Sequence, residues 1–262
     1  MDTAATAAGA AAPAVDLAPS HAPPFDPLAM HVGHANTPAG NLLLLAGFVF
    51  ALTYGLAYFR RPASPVRTVV KTCAVAALAG VSVFNGSPWL LTLALVFCAI
   101  GDAFLAGDPK RWLPFGLASF LAGHLTYVAL FVATLSQVRR QLAGISTPVE
   151  LSPTPTRWAM MAGAVVIGVG MLAWLWRSLG ALRWAVCAYV AAILAMVCSA
   201  CALPRLFVGA PTGALLFFAS DGVLSAQLFK QRFTGLAGQW VVWGCYFIGQ
   251  VLIVMAFSPL TG

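Results

Sequence analysis

Eight apolar segments, each about as long as a bilayer core is thick, constrain the fold of this chain more than any other feature. A helix needs about twenty apolar residues to cross a bilayer, and lipid offers no partner for free backbone groups, so each segment is expected to be a spanning helix. Only 8% of the 262 residues are charged, whereas soluble domains have roughly a quarter. The predicted fold class is therefore all-α: a polytopic membrane protein with a single bundle of about eight transmembrane helices. The predicted spans are residues 41–59, 67–84, 88–106, 112–135, 157–177, 183–203, 210–229 and 238–258.

Residues 1–40 differ in composition from the rest of the chain. They are rich in Ala and Pro and contain no Lys or Arg, so they lack the basic start and apolar stretch of a secretory signal. We predict a disordered N-terminal tail, in which irregularly spaced histidines do not suggest a metal site. Residues 41–262 then form one eight-helix transmembrane domain, in which only residues 136–156 could make a longer loop.

Basic residues orient the bundle, because Lys and Arg are retained on the cytoplasmic side of a membrane. The side predicted to be extracytoplasmic has four of them: Arg139, Arg140, Arg157 and Arg205. The loops after spans 1, 3, 5 and 7, with their flanks, hold a larger set: Arg60, Arg61, Arg67, Lys71, Lys110, Arg111, Arg177, Arg183, Lys230 and Arg232. We therefore expect a multipass protein of a bacterial inner (plasma) membrane with both termini outside the cytoplasm. The basic residues occur singly or in pairs, so no nucleic-acid partner is predicted.

Two acidic residues, Asp102 and Asp221, lie inside predicted spans. A carboxylate there costs roughly 2.5–3.5 kcal/mol on insertion scales, so it usually faces the bundle interior and serves a function. Counted from the cytoplasmic ends of their spans, the two residues lie within about 6 Å of each other in depth. We predict that they share one site, with a purely structural hydrogen bond or ion pair as the alternative.

Other polar side chains lie in the same half of the bundle. Each has an ordinary interpretation alone, such as an interfacial anchor or a hydrogen bond between helices. Their convergence with the two aspartates favours a functional site. These residues are Lys71 on the second span, His124 and Tyr127 one turn apart on the fourth, Tyr189 on the sixth, and Tyr246 and Gln250 on the eighth.

Five short motifs follow one another in a characteristic order: FCAIGDAFL (97–105), FLAGHLTYV (120–128), AYVAAILAM (188–196), GALLFFASDGVL (213–224) and YFIGQVLI (246–253). In order and spacing they resemble the YhhN-type lysoplasmalogenase family, which includes the transmembrane protein 86-like proteins. The family has GD at the end of one helix, FxxGHxxY in the next, GAxLFxxSD in the penultimate helix and YxxGQ in the last. The resemblance covers spans 2 to 8. This chain departs from the common Lys-Pro of the family at Lys71-Thr72, which bears on the local start of a helix.

The resemblance implies a membrane hydrolase that cleaves the vinyl ether bond of lysoplasmalogens, with residues 41–262 as its catalytic domain. The products would be a fatty aldehyde and glycerophosphoethanolamine or glycerophosphocholine. Cleavage begins with protonation of the β-carbon and leaves an oxocarbenium ion that water captures, so the site needs one acid and one anion. Two carboxyl groups in a partly desolvated pocket can divide these roles.

We assign the acid role to Asp221 and the stabilising, water-orienting role to Asp102, and the reverse assignment stays open. Lys71, near the head-group plane, would meet the phosphate. No metal or other cofactor is expected, the partners are the bilayer and a lysophospholipid or ether lipid, and the oligomeric state is left open. The residues expected to support binding of water or substrate are His124, Tyr127, Tyr189, Ser220, Tyr246 and Gln250.

Four other functions use buried polar groups of this kind. Intramembrane aspartyl proteases have GxGD and YD, whereas this chain has AIGD ending at Asp102 and SD at Asp221. A zinc hydrolase with several histidine ligands is disfavoured because only His124 lies within a span. A proton-coupled transporter or a lipid-binding protein that uses the same aspartates remains the alternative, although the spans show no internal repeat and few prolines.

Overall fold

The computed structural model describes residues 37–107, 109–143 and 152–258, and the regular structure of these residues is entirely helical. Eight of the described helices are long and apolar enough to cross a membrane. The predicted all-α, polytopic fold class is therefore confirmed. Of the tail predicted for residues 1–40, residues 1–36 lie outside the described residues. The helices are α1 (Pro38–Thr53, continued by a π-helical turn Tyr54–Tyr58), α2 (Pro65–Phe84), α3 (Trp89–Ala106), α4 (Pro109–Leu142), α5 (Pro155–Leu175), α6 (Arg183–Ala202), α7 (Gly209–Lys230) and α8 (Leu236–Phe257).

Three helices begin with the same local signal. The side chains of Thr37, Ser64 and Thr154 each accept a hydrogen bond from a backbone N–H three residues later, and a proline follows each of them. A hydroxyl N-cap satisfies one free helix donor, and proline at the next position lacks an N–H that would otherwise need a partner. Helix α1 consequently begins at Pro38 rather than at residue 41.

Helix α4 is longer than predicted. We expected a loop from residue 136, but the helix continues to Leu142, so the loop prediction was wrong for this segment. Its last residues, SQVRRQL, are mostly good helix formers, and Arg139 and Arg140 in the last turn interact favourably with the helix dipole.

Six helices enclose a common interior, and two lie outside it. Helices α2, α3 and α4 pack in sequence, α4 packs on α6, and α6, α7 and α8 follow. Helix α8 closes the ring by contacting α2 and α3, while α1 packs along α2 and α5 along α6. Large apolar side chains such as Leu56, Val166 and Trp184 are exposed on the outside, as contact with lipid requires.

Small residues let neighbouring helices of the ring approach closely. A Cβ atom added to Gly213 on α7 would lie 2.5 Å from the carbonyl oxygen of Gly249 on α8. A Cβ atom on Gly101 of α3 would lie 2.6 Å from the ring of Phe120 on α4. Small residues at such contacts are a common packing device in membrane bundles. Because Gly101 precedes Asp102, close packing of α3 on α4 also fixes the position of that carboxyl group.

Candidate active site

Asp102 on α3 is surrounded by donors from two other helices. Its Oδ1 atom lies 3.0 Å from Nζ of Lys71 on α2, and its Oδ2 atom accepts a hydrogen bond of 2.7 Å from the hydroxyl of Tyr246 on α8. Only 2% of the Asp102 side chain and 12% of the Lys71 side chain are exposed. The Lys71 ammonium also lies 5.8 Å from the ring centroids of Tyr54 and Trp243. The charge of Asp102 is therefore compensated by a buried cation, which the surrounding aromatic rings hold in place.

Asp221 on α7 has a different environment. Its Oδ2 atom accepts a hydrogen bond of 2.6 Å from the hydroxyl of Tyr189 on α6 and lies 3.8 Å from Nε2 of His124 on α4. Within the described part of the chain, no Lys or Arg forms an ion pair with it. Its side chain is 14% exposed, more than that of Asp102. The two carboxyl groups thus differ in both charge compensation and accessibility.

His124 lies beside Asp221 and leaves its polar atoms available. The residue is fully buried, and neither ring nitrogen has a hydrogen-bond partner among the described residues. Its ring contacts Tyr189 and Phe217 edge-on, at centroid distances of 5.0 Å and 4.7 Å. One turn along α4, Tyr127 donates to Oε1 of Gln250 on α8, whose Nε2 is likewise without a described partner. Buried polar atoms normally have partners, so this part of the interior suits a water molecule or a polar ligand group.

Two cavities meet at Asp221. The first, the apolar cavity, has a volume of about 320 Å³ and lies among α4, α5, α6 and α7, with Leu117, Met171 and Val190 in its wall. The second, the polar cavity, also measures about 320 Å³ and is lined by Asp102, Lys71, Arg67, Gln227 and Gln239. Asp221 belongs to both linings. A molecule with an apolar chain and a polar head would therefore place the junction of the two at this carboxyl group.

The structure brings the two aspartates to the same cavity with Lys71, Ser220 and Tyr246, and it puts Tyr189 and His124 beside Asp221. Tyr127 and Gln250 pair with each other and line neither cavity. Two of the predicted site residues have contacts that differ from their expected use. Lys71 is paired with Asp102 instead of being free for a phosphate. Ser220 lines the polar cavity, but its hydroxyl donates over 2.8 Å to the carbonyl oxygen of Val242 and so joins α7 to α8. Among residues 37–107, 109–143 and 152–258, no three His, Cys, Asp or Glu side chains converge as a metal site would require.

Sequence reasoning missed three residues around Lys71. Arg67 donates to the hydroxyl of Tyr54 over 3.3 Å, and Trp243 donates to the carbonyl oxygen of Ala51 over 3.0 Å. The spacing of four residues between Arg67 and Lys71 puts them on one face of α2 and is a signal that the sequence already contained. For Tyr54 and Trp243 no such signal exists, because aromatic residues are common near the ends of any span.

Comparison with known proteins places these residues in a family. The lysoplasmalogenase of Mycobacterium bovis (strain ATCC BAA-935 / AF2122/97) is 32% identical over 172 residues, which are 64% of this chain and 60% of that protein, so the chain spans about three fifths of this relative. The human lysoplasmalogenase TMEM86B is 29% identical over 203 residues, 72% of this chain and 74% of that protein. The uncharacterized membrane protein YhhN of Escherichia coli O157:H7 is 27% identical over 176 residues, 65% of this chain and 75% of that protein. No solved structure matches. The family model described as the YhhN family matches residues 66–257, a range that includes both aspartates and all their described partners. The chain therefore belongs to the YhhN family.

Proposed function

We propose that this protein is a membrane-embedded hydrolase that cleaves the vinyl ether bond of lysoplasmalogens. One observation carries the proposal: an apolar and a polar cavity meet at Asp221, and the ion-paired Asp102 lines the polar one. A lysoplasmalogen has one apolar chain, one polar head group and its vinyl ether between them. The names of the mycobacterial and human relatives favour the same class of substrate.

In the proposed mechanism Asp221 is the general acid. An apolar cavity lies on one side of it, and no described Lys or Arg pairs with it. A carboxyl group in such surroundings favours its neutral, protonated form. The proton goes to the β-carbon of the vinyl ether, where the π electrons of the double bond form the new C–H bond. Positive charge then develops on the α-carbon and the ether oxygen.

Asp102 acts as the anion in this mechanism. Lys71 and Tyr246 both donate to its carboxylate, which keeps it ionised and fixes its position. A fixed negative charge beside the forming oxocarbenium ion stabilises the transition state, since charge interactions are strong where water is excluded. The same carboxylate cannot readily take up the proton of the acid, so the two aspartates keep separate roles.

Water completes the reaction by attacking the α-carbon. His124, whose ring nitrogens lack described partners and lie close to Asp221, is placed to bind this water and to pass its proton back to the Asp221 carboxylate. In the resulting hemiacetal the bond from the α-carbon to the glycerol oxygen breaks, and the proton of the hemiacetal hydroxyl passes to that oxygen as the aldehyde forms. One water molecule is consumed, and Asp221 ends the cycle protonated. Hydrogen bonds from Tyr189 to Asp221 and from Tyr127 to Gln250 hold these two side chains in position during the reaction.

We also propose that the polar cavity faces the cytoplasm of a bacterium whose inner membrane holds the protein. The cavity lies near the first turns of α2 and α8 and the last turns of α3 and α7, the side with most of the Lys and Arg residues. A reporter fused to the C-terminus tests this orientation. Alkaline phosphatase at that position should be active and green fluorescent protein dark, and the opposite pattern would reverse the assignment.

The test of the reaction is release of long-chain aldehyde from synthetic 1-alkenyl-lysophosphatidylcholine by the purified protein in detergent. Asp102→Asn and Asp221→Asn should each lose activity by at least about a hundredfold, the usual scale for general acid–base catalysis. Ser82→Ala, which removes a buried hydroxyl bonded to Thr92 away from the site, should keep it. The saturated 1-alkyl and the 1-acyl analogues should yield no aldehyde and no fatty acid.

Two results would contradict the proposal. The first is no aldehyde from the wild type under conditions in which a verified relative is active, and the second is cleavage of the acyl analogue, which would indicate an esterase. In the first case, proton-coupled flux into proteoliposomes with the same two Asn variants becomes the next measurement.

A further inference from the structure

Arg67 is the charged group of the polar cavity that the proposed chemistry does not use. It lies on α2, lines the polar cavity and is partly buried. Its guanidinium lies 5.9 Å from the ring centroid of Tyr54 and donates one hydrogen bond to the hydroxyl of that residue. Its buried Nε atom has no described partner, and no described carboxylate forms an ion pair with the residue. Arg67 is thus a cation facing the cavity with donors to spare.

The position of Arg67 relative to the two aspartates matches the shape of a lysophospholipid. Arg67 and Lys71 are four residues apart on one helix, which is about 6 Å along its axis. Lys71 in turn contacts Asp102, where the ether oxygen of the substrate would lie. In a lysoplasmalogen about five covalent bonds separate that oxygen from phosphorus, a span of roughly 6 Å. A substrate with its ether at Asp102 is therefore long enough to extend its phosphate to Arg67.

We propose that Arg67 binds the phosphate of the substrate's head group and that the polar cavity selects for this phosphate rather than for the amine beyond it. The proposal rests on the function proposed above and adds a specificity-determining residue to it. A guanidinium is suited to the role because its planar donors match the oxygens of a phosphate. Lys71, the residue that the sequence suggested for this purpose, is already engaged by Asp102.

The rest of the cavity offers the amine of a head group no charged partner, and the rings of Tyr54 and Trp243 already face the ammonium of Lys71. Its other described polar residues beyond the catalytic pair include Gln227, Thr234 and Gln239, which are neutral. The two glutamines donate to the link between α7 and α8, at the carbonyl oxygens of Phe233 and Thr234. No third carboxylate is found among the described residues of the lining. Choline, ethanolamine and a bare phosphate should therefore be accepted alike, whereas loss of the phosphate should weaken binding.

Binding of uncleavable ligands tests the proposal apart from catalysis. We would measure the rise in unfolding temperature, followed by tryptophan fluorescence in one detergent, with 1-O-alkylglycerol and with its 3-phosphate, 3-phosphoethanolamine and 3-phosphocholine derivatives of equal chain length. The three phosphate ligands should bind the wild type at least about tenfold more tightly than alkylglycerol, the scale of a hydrogen bond to a charged group. Arg67→Gln should bind all four ligands equally, and Arg67→Lys should retain part of the preference. Arg61→Gln, which removes an exposed arginine outside the cavity, should behave as the wild type does.

Each outcome bears on one claim. An unchanged phosphate preference in Arg67→Gln, or a preference for one amine over bare phosphate, would overturn the proposal. Binding of chain-free glycerophosphocholine as tight as that of the lysolipid would indicate a site for free phosphate compounds and would overturn it as well. In turnover, Arg67→Gln should raise KM for phosphate substrates and leave 1-alkenylglycerol unaffected. If the wild type releases no aldehyde yet prefers phosphate ligands through Arg67, the proposed reaction is rejected and the phosphate site is retained. If the wild type releases aldehyde but Arg67→Gln keeps the phosphate preference, the phosphate site alone is rejected.

Discussion

Replacing Lys71 by methionine should destabilise the bundle strongly, because it leaves the Asp102 carboxylate buried without its cation. The Nζ to Oδ1 distance of 3.0 Å and the 2% exposure of Asp102 define a buried ion pair with little access to water. Removing one partner of such a pair typically costs about 3–5 kcal/mol, because the remaining charge is uncompensated. The hydrogen bond from Tyr246 persists and reduces the loss. We therefore expect the free energy of unfolding to fall by about 3 kcal/mol, the lower end of that range.

The double variant Lys71→Met with Asp102→Asn separates this explanation from loss of packing. Neutralising both partners removes the uncompensated charge, so the double variant should recover most of the lost stability while remaining inactive. Unfolding in mixtures of mild detergent and dodecyl sulfate, followed by circular dichroism, gives the free energies. Arg61→Met, an exposed arginine, serves as the control and should change stability by less than about 1 kcal/mol. A single variant as stable as the wild type, or a double variant as unstable as the single one, would refute the reasoning.

Three further substitutions test other parts of the site and bundle. Tyr189→Phe removes the hydrogen-bond donor to Asp221 and should lower kcat for aldehyde release about tenfold, while the free energy of unfolding changes little. Full activity would show that this hydrogen bond has no catalytic role. Gly213→Ala should lower the free energy of unfolding by about 1–3 kcal/mol, because the added Cβ atom would overlap the backbone of α8. In the control Gly222→Ala, on the same helix, the added Cβ atom meets nothing within 4 Å and stability should not change, so equal effects of the two substitutions on denaturation would contradict the close contact. Val190→Trp narrows the apolar cavity and should displace about two methylene groups of the substrate chain, which lowers kcat/KM for long-chain substrates about fifteenfold and leaves kcat/KM for short-chain substrates unchanged. An equal loss for long and short chains would mean that the substrate chain lies elsewhere.

The spans and their order could be predicted from sequence because lipid imposes a length and a composition on every crossing segment. The helix boundaries that differ from the predicted spans are those set by capping and helix propensity rather than by the length of the apolar run. Thr37 caps α1 ahead of the apolar run, and the polar turns up to Leu142 extend α4 beyond it. Hydropathy reports the apolar part of a helix, whereas capping and helix propensity decide where the helix begins and ends.

That Asp102 and Asp221 reach one cavity could be predicted as well, since counting along a helix gives the height of each residue in the bundle. Rotation about the helix axis could not. In a soluble protein the polar face of a helix points outward, but lipid-facing and core-facing residues of a spanning helix are both apolar, so the pattern loses its direction. This is why the hydrogen bond from Ser220 to Val242 and the place of Arg67 in the lining of the polar cavity became visible only in the structure.

The sequence could not assign roles to the two aspartates for the same reason. Their motifs are alike, each a carboxylate after a small residue near the end of a span, so the sequence left the assignment of acid and anion open. The asymmetry comes from tertiary contacts: Lys71 reaches Asp102, and the apolar cavity reaches Asp221. Moving the cation would therefore be expected to exchange the roles rather than abolish the chemistry. In the proposed mechanism Asp221 is the acid because no described cation pairs with it, and a linear motif does not record a partner on another helix.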